Sequence, residues 1–234
     1  MRTEILTILL VFCQFVAMAQ EDNFQKYINN FKERELPMEF NSDSLGNYFS
    51  RYDKKLQKSK NDNSEISTEY VLKFICSEKY PCEKVNKSNF YSYGFKFTFD
   101  KYTIAIFNMN CSDCTTKFGL WINYFYMIVY DKSGKIIDEK IIGKSSDQHF
   151  AIGEFEKSEN NKDLLSLNIK NGTMLEYVVN TVDSCILDGD LDYYNYTVND
   201  KGIIEEKKIN SKKCRYGTSV CGDVKCNKII KELD

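Results

Sequence analysis

Apolar residues in the first third of the chain recur at the three- and four-residue spacing of a helix. Residues 24–31, 45–52 and 70–75 each follow this spacing, so each segment predicts a helix with one apolar face. The third helix is expected to begin at Ser67 or Thr68. The chain up to about residue 82 is therefore expected to be a helical region.

The apolar period changes from that of a helix to that of a strand near Phe90. Tyr, Phe and polar residues alternate over 91–99, which predicts a half-buried strand. Residues 120–130 are apolar on both faces, as in a central strand. The turn residues of 131–134 then join this segment to a second apolar run over 135–142, which predicts a hairpin.

Further strands are expected in the second half of the chain. Weaker patterns lie over 150–155, 164–169 and 175–181, and the Asn-Gly pair at 171–172 predicts a turn between the last two. A second hairpin is predicted over 193–209. Strands joined in succession by short turns form an antiparallel β-meander, which closes as a sandwich, a barrel or a partial propeller. The predicted fold class is α+β, with short helices before the meander.

The N-terminus has the pattern of a secretory signal. Arg2 precedes an apolar run over 5–15, and Ala17 and Ala19 place small residues before a cleavage site at Gln20. The predicted organisation is a signal peptide (1–19), a helical N-terminal region (20–82) and an antiparallel β domain with a Cys-rich C-terminal tail (83–234). The protein is accordingly expected to be exported, to the periplasm or out of the cell.

Composition and charge exclude several classes of protein. Hydrophobic residues make up 42% of the chain, which is enough for a packed core. The net charge of −2 provides no electrostatic footprint for nucleic acid. No apolar stretch of about 20 residues follows the signal, so no transmembrane segment is expected in the mature chain.

Signal cleavage leaves eight of the nine cysteines, and an even number in an exported chain predicts a disulfide framework. Short separations favour pairing the first two with each other and the next two with each other. The fifth would then join one of the last three, and the remaining two would pair. In chain order the eight are Cys76, Cys82, Cys111, Cys114, Cys185, Cys214, Cys221 and Cys226.

Two other functions fit part of the cysteine pattern. Cys76, Cys82, Cys111 and Cys114 have the four thiolates of a tetrahedral zinc site, although export to an oxidising compartment favours disulfides. The Cys-x-x-Cys motif at 111–114 also resembles a redox motif. That chemistry needs a lowered thiol pKa, whereas Asp113 would raise it.

An acidic segment is the candidate metal site. Asp188, Asp190 and Asp192 alternate along the chain, and oxygen-rich segments of this kind suit calcium. The rest of the EF-hand pattern is missing, because Tyr193 stands where the loop needs glycine and Asn199 where it needs glutamate. Calcium is therefore a candidate cofactor, set against an acidic turn that enters a strand.

Catalytic constellations are sparse. His149 is the one histidine, so a Ser-His-Asp or Cys-His site would have to use it, and it lies in a polar segment expected to be a loop. Two carboxylates could serve a hydrolase, but nothing in the sequence selects two of the 34 acids. The aromatic strand over 91–99 is either the core face of a sheet or a platform for sugars.

Several short motifs resemble small exported β-proteins of Bacteroidetes-type bacteria. They are Leu36-Pro37, the Ile-Ser-x-Glu-Tyr segment at 66–70, the Tyr-x-Tyr-Gly segment at 91–94 and the Tyr-Asp-Lys-x-Gly-Lys hairpin at 130–135. The resemblance implies a Gram-negative envelope setting and provides no catalytic residues.

The functional expectation is an exported, non-enzymatic binding or envelope protein with a protein or glycan partner. The alternative is a secreted carboxylate-dependent hydrolase, assisted by calcium if the acidic segment binds it.

Overall fold

A computed structural model describes most of the chain. The described residues are 21–41, 65–79, 89–115, 121–146, 149–158, 161–181, 184–218 and 228–233. Strands dominate them and form two sheets, with short helical segments at residues 21–28 and 68–75. The expectation of a β-rich α+β fold is confirmed.

The first sheet has five strands in the order β1-β3-β4-β5-β6. β1 pairs in parallel with β3, and the other neighbours are antiparallel. The strands are β1 (Lys32–Glu33), β3 (Phe90–Thr98), β4 (Tyr102–Thr115), β5 (Trp121–Asp131) and β6 (Ile136–Ser145).

The second sheet has six strands in the order β11-β10-β9-β8-β7-β2, all antiparallel to their neighbours. They are β2 (Met38–Asn41), β7 (His149–Ser158), β8 (Asn161–Thr181), β9 (Ser184–Val198), β10 (Ile204–Thr218) and β11 (Lys228–Leu233). The predicted meander is thus present, divided between two sheets.

The two sheets pack face to face on one apolar layer, which we call the inter-sheet core. Strand β6 contacts two strands of the second sheet. Near its start, Asp138 accepts a bond from the Ile204 amide of β10, and near its end Gly143 lies against Ala151 of β7. The core residues are Phe40, Phe95, Phe97, Tyr102, Ile104, Ile106, Phe125, Met127, Val129, Ile142, Ala151, Phe155, Leu165, Leu167, Ile169, Tyr196, Val198 and Ile204. Among the predicted closures, the arrangement is that of a sandwich.

The helical segments cover the other face of the first sheet and form the helix-side core. They are α1 (residues 21–28) and α2 (Thr68–Tyr70), which continues as a π-helical turn (Val71–Ile75). Ser67 caps α2 by accepting a bond from the Tyr70 amide at 3.3 Å, as the predicted start requires. The residues of this core are Phe24, Tyr27, Ile28, Phe31, Ile66, Val71, Phe74, Ile75, Tyr91, Tyr93, Ala105, Phe107, Tyr126, Ile128 and Tyr130.

The aromatic strand β3 serves both cores, which simple alternation does not predict. Tyr91 and Tyr93 lie in the helix-side core, whereas Phe95 and Phe97 lie in the inter-sheet core. The register with β4 shifts between Tyr93 and Phe95, so a bulge at Gly94 moves the aromatic stripe from one face to the other. These four buried rings are core residues and offer no sugar platform.

Both predicted hairpin turns are built by the same chemistry. The carboxylate of Asp131 and the side-chain amide oxygen of Asn199 each accept bonds from the backbone amides two and four residues later. Gly134 and Gly202 follow with φ of +86° and +80°, values that glycine adopts without strain.

Three sequence expectations differ from the structure. The turn predicted at Asn171-Gly172 is wrong, because β8 runs unbroken through both residues and pairs with β7 and β9 on its two sides. β1 and β2 lie within the region expected to be helical, and β10 and β11 carry part of the expected tail into the second sheet. The helix predicted over 45–52 lies outside the described residues.

Candidate functional site

The inner face of β9 and β10 changes from apolar to polar where it emerges from the inter-sheet core. Tyr196, Val198 and Ile204 are buried there, whereas the residues further along the same face are partly or well exposed. We call this uncovered surface the shelf, made of Asp192, Tyr194, Glu206, Lys208 and Ser211.

Strand register brings the polar groups of the shelf together. Lys208 lies opposite Tyr194 and Ser211 opposite Asp192, with a bulge between Lys208 and Asn210. The Lys208 ammonium donates to Asp192 Oδ1 at 2.8 Å, and the Ser211 hydroxyl donates to the same oxygen at 2.6 Å. The bulge therefore sets two donors around one carboxylate.

The electrostatics of the shelf follow from this pairing. Burial alone would raise the pKa of Asp192, but the hydrogen bonds from Lys208 and Ser211 outweigh it and hold that pKa below the ordinary 3.8. The bond to Asp192 also raises the pKa of Lys208. Both groups are therefore charged at neutral pH, and each fixes the position of the other.

An aromatic ring stands beside this ion pair. Tyr194 stacks on the buried Tyr196 with ring centroids 6.0 Å apart and planes at 23°. The Lys208 ammonium lies 5.8 Å from the Tyr194 ring centroid, within the range of a cation–π contact. Burial raises the pKa of Tyr194, and the charge of Asp192 adds to the effect. The ring therefore contacts both Tyr196 and Lys208 and stays partly exposed.

The edge of the first sheet forms a wall beside the shelf. Lys140 on β6 pairs with Glu206 on β10 at 2.7 Å. The four charges of the site, Asp192, Lys208, Glu206 and Lys140, thus form two ion pairs. The shelf and its wall together carry no net charge.

Asp138, two residues before Lys140, joins three layers of the molecule. Its Oδ2 accepts from the Ile204 amide of β10 at 2.9 Å, and its Oδ1 lies 3.1 Å from the Lys79 ammonium after α2. Burial would raise the pKa of Asp138, but these bonds and one from the Glu139 amide hold it below the ordinary 3.8. Asp138 therefore fixes β6 against the hairpin that carries the shelf.

We expect Asp138→Asn to lower the free energy of unfolding at neutral pH by about 1–2 kcal/mol. The asparagine has one oxygen where the carboxylate has two, so it cannot accept from both Ile204 and Lys79, and either the buried Ile204 amide or the partly exposed Lys79 ammonium loses its acceptor. Because the pKa of Asp138 is lowered in the folded protein, the ionised carboxylate stabilises the fold. That contribution is lost as pH falls through the folded-state pKa, below 3.8. Urea unfolding at neutral and acid pH checks both points; an unchanged midpoint at neutral pH would contradict this role.

Asp138 and Glu139 have opposed pKa shifts, a pattern typical of acid–base pairs. Burial raises the pKa of Glu139, against the effect of its bond with Ser77. Adjacent residues of a strand point to opposite faces, however, and here Asp138 pairs across β5 with Val129 and Glu139 with Ile128. Those partners lie in different cores, and the Lys79 ammonium contacts Asp138 Oδ1 and the backbone carbonyl of Glu139 between them.

The outer face of the second sheet carries a different polar surface. Asn195 donates to the Ser166 hydroxyl at 3.1 Å and to Asn168 Oδ1 at 2.7 Å. Nearby, the Lys170 ammonium lies 5.2 Å from the ring centroid of Tyr193, the residue before Tyr194 on the opposite face. Asn195 therefore links its strand to side chains of β8 on this face.

The structure places the predicted calcium residues on β9. Asp188, Asp190 and Asp192 stand at alternate strand positions rather than in a turn, about 7 Å apart along the strand. Asp192 already binds Lys208 and Ser211. No group of three or more acidic, Cys or His side chains suited to a metal occurs within the described residues. Calcium at these carboxylates stays a prediction.

Two of the predicted disulfide cysteines are described in full, and both are disulfide-bonded. Cys76 follows the π-helical turn, and Cys111 is buried on β4. Of the other six, Cys114, Cys185 and Cys214 lie on the described backbone of β4, β9 and β10, and Cys82, Cys221 and Cys226 lie outside the described residues. The pairing of the eight stays a prediction.

His149 begins β7 rather than lying in a loop. Among the described residues, no helix has the length and apolar character needed to cross a membrane.

Sequence reasoning found Asp192 but missed Tyr194, Glu206, Lys208 and Ser211. All but Ser211 lie in the predicted hairpin. The strand register that this hairpin implies could therefore have placed those three residues near Asp192. Comparisons with protein-family models, with curated proteins and with solved structures found no match.

Proposed function

We propose that this protein is an exported, non-enzymatic binding protein and that its shelf binds a neutral glycan. One observation carries the proposal. The partly buried ring of Tyr194 lies beside a carboxylate and an ammonium that hold each other in place, Asp192 and Lys208 at 2.8 Å. An aromatic ring next to fixed polar groups offers a ligand both an apolar contact and hydrogen-bonding partners.

Charge balance favours a neutral ligand. The charges within the Asp192–Lys208 pair and within the Lys140–Glu206 pair cancel. Asp190, the next residue of this face, lies opposite Lys213 in the strand register, so neither charge is in excess to attract a cation or an anion. A sugar needs both donors and acceptors for its hydroxyl groups, and the shelf offers an ammonium, a carboxylate and the Ser211 hydroxyl.

The aromatic ring supplies the apolar half of the interaction. A sugar ring has a face of C–H groups and a rim of hydroxyls, so it can lie on Tyr194 while its rim reaches the ion pair. Tyr196 supports that ring from beneath, so little ordering is needed on binding.

The rest of the chain supports this role. The expected signal peptide and the disulfide-bonded Cys76 and Cys111 suit an extracellular or periplasmic protein. The resemblance to exported proteins of Bacteroidetes-type bacteria points to an envelope setting, where glycans are abundant ligands.

We expect the purified mature chain to bind at least one neutral oligosaccharide of glucose, mannose, galactose or N-acetylglucosamine, and Tyr194→Ala to weaken that binding at least about tenfold. Tyr193→Ala is the matched control, because Tyr193 is the neighbouring ring on the opposite face, and its affinity should change less than about twofold. Isothermal titration measures both variants.

Three outcomes would contradict the proposal. They are a lack of binding to all of these oligosaccharides, an equal loss in the Tyr193→Ala and Tyr194→Ala variants, and the release of reducing sugar from the bound oligosaccharide. The last of these would favour the carboxylate-dependent hydrolase instead.

A further inference from the structure

The segment after the π-helical turn is fastened to the edge strand β6 by three polar contacts, which we call the clasp. The Ser77 hydroxyl donates to Glu139 Oε1. The Lys79 ammonium donates to the backbone carbonyl of Glu139 at 2.5 Å and pairs with Asp138 at 3.1 Å. The clasp thus joins residues about 60 positions apart in the chain.

Glu139 is buried to a degree unusual for a carboxylic acid. It is 3% exposed, and its Oε2 atom has no hydrogen-bond partner among the described residues. When Glu139 is ionised, that oxygen shares a negative charge with no donor to stabilise it, which is costly in an apolar setting. When Glu139 is protonated the charge is gone, and Oε1 still accepts from Ser77.

The groups around Glu139 do not cancel this cost. Ser77 and Lys79 from the segment after α2 favour the ionised form, whereas the charge of Asp138 on the same strand opposes it. From β5, the buried hydroxyl of Tyr130 donates to the Phe74 carbonyl at 2.7 Å rather than to Glu139. Burial is the largest effect, so the pKa of Glu139 lies above its ordinary 4.5.

The clasp ends the segment that covers the helix-side core. Phe74 and Ile75 of the π-helical turn are buried in that core, and the Cys76 amide closes the turn on the Val71 carbonyl at 2.9 Å. Detaching Ser77 from Glu139 would remove the contact next to the Cys76 amide, because Ser77 directly follows Cys76, while the disulfide still holds the Cys76 side chain.

We propose that the clasp is proton-sensitive, so that the segment 65–79 is held more firmly while Glu139 is neutral and more loosely once Glu139 is ionised. The stabilisation is fully present below the unfolded-state pKa of Glu139 and is lost as pH rises through its higher folded-state pKa. Asp138 titrates below this range, so it stays ionised while Glu139 changes.

Hydrogen exchange of the Cys76 amide tests the proposal. In the mature chain its protection factor should be at least about twofold higher at about pH 5 than at about pH 8, once intrinsic exchange rates are divided out. Glu139→Gln keeps the shape without the charge, so its protection factor should be the same at both values. The readout does not involve a glycan, so it stands or fails independently of the proposed function.

Ser77→Ala is the second variant, because it removes one contact and leaves Glu139 in place. Its Cys76 protection should fall at about pH 5, toward the wild-type value at about pH 8. The proposal is overturned if wild-type protection is the same at both pH values, or if Glu139→Gln keeps the wild-type pH dependence. A Ser77→Ala protein with unchanged protection at about pH 5 would also overturn it.

Discussion

Gly94→Ala is expected to lower the free energy of unfolding by at least about 3 kcal/mol. A Cβ atom at this position would collide with the backbone carbonyl oxygen of Ile106 on β4, closer than real Cβ atoms approach. The obstacle is backbone within a paired strand, so it cannot rotate away as a flexible side chain would. Relief requires β3 and β4 to separate or the bulge to disappear.

Loss of the bulge would be as costly as the collision. Without it, Phe95 and Phe97 would turn away from the inter-sheet core. Urea unfolding measures the effect, with Ser92→Ala on the same strand as the control, expected to change stability by about 0.5 kcal/mol or less. A Gly94→Ala protein as stable as this control would show that the bulge is dispensable.

Phe155→Ala is expected to lower the free energy of unfolding by about 3–5 kcal/mol. The Phe155 ring is fully buried at the centre of the inter-sheet core. Its centroid lies 5.9 Å from that of Phe40, 5.6 Å from Phe95 and 5.2 Å from Phe97. Truncation would remove ring contacts to both sheets and leave a cavity that rigid neighbours cannot fill.

Phe155→Leu provides the graded comparison for this site. Leucine fills much of the same volume, so the loss should be about 1–1.5 kcal/mol. Thermal and urea unfolding of both variants give the two values. Equal losses for alanine and leucine would mean that the ring contacts rather than the cavity dominate, and a loss below about 1 kcal/mol for alanine would contradict the central position of Phe155.

The parts of the fold that local chemistry determines could be predicted from the sequence. Asp131 and Asn199 accept bonds from backbone amides within their own turns. A few consecutive residues are therefore enough to predict each hairpin. Ser67 caps its helix through a bond to Tyr70, also a local event. The antiparallel succession of strands follows from such turns.

The parts that depend on distant partners could not be predicted. An Asn-Gly pair favours a turn by itself, but Gly172 lies in β8 between Phe150 of β7 and Leu191 of β9. Two ladders of backbone hydrogen bonds outweigh the local preference there. The bulge at Gly94 likewise depends on β4, since alternation alone places Tyr93 and Phe95 on one face.

For the same reason, only part of the candidate site could be predicted from the sequence. The predicted hairpin brings Tyr194 near Lys208, but the bulge after Lys208 decides that Ser211, and not Asn210, reaches Asp192. The shelf lies where the buried inner-face residues of β9 and β10 give way to exposed ones. Sheet packing is a property of the whole chain, and no short motif records it.

Chemical-shift mapping of a bound oligosaccharide tests the central claim most directly. With isotope-labelled mature protein and the best-binding neutral oligosaccharide, the largest changes should fall on the amides of Asp192, Tyr194, Lys208 and Ser211. The amides of the outer face, from Ser166 to Asn168 and at Asn195, should stay unchanged. Changes centred on that outer face, or spread evenly over the protein, would contradict the shelf as the binding site.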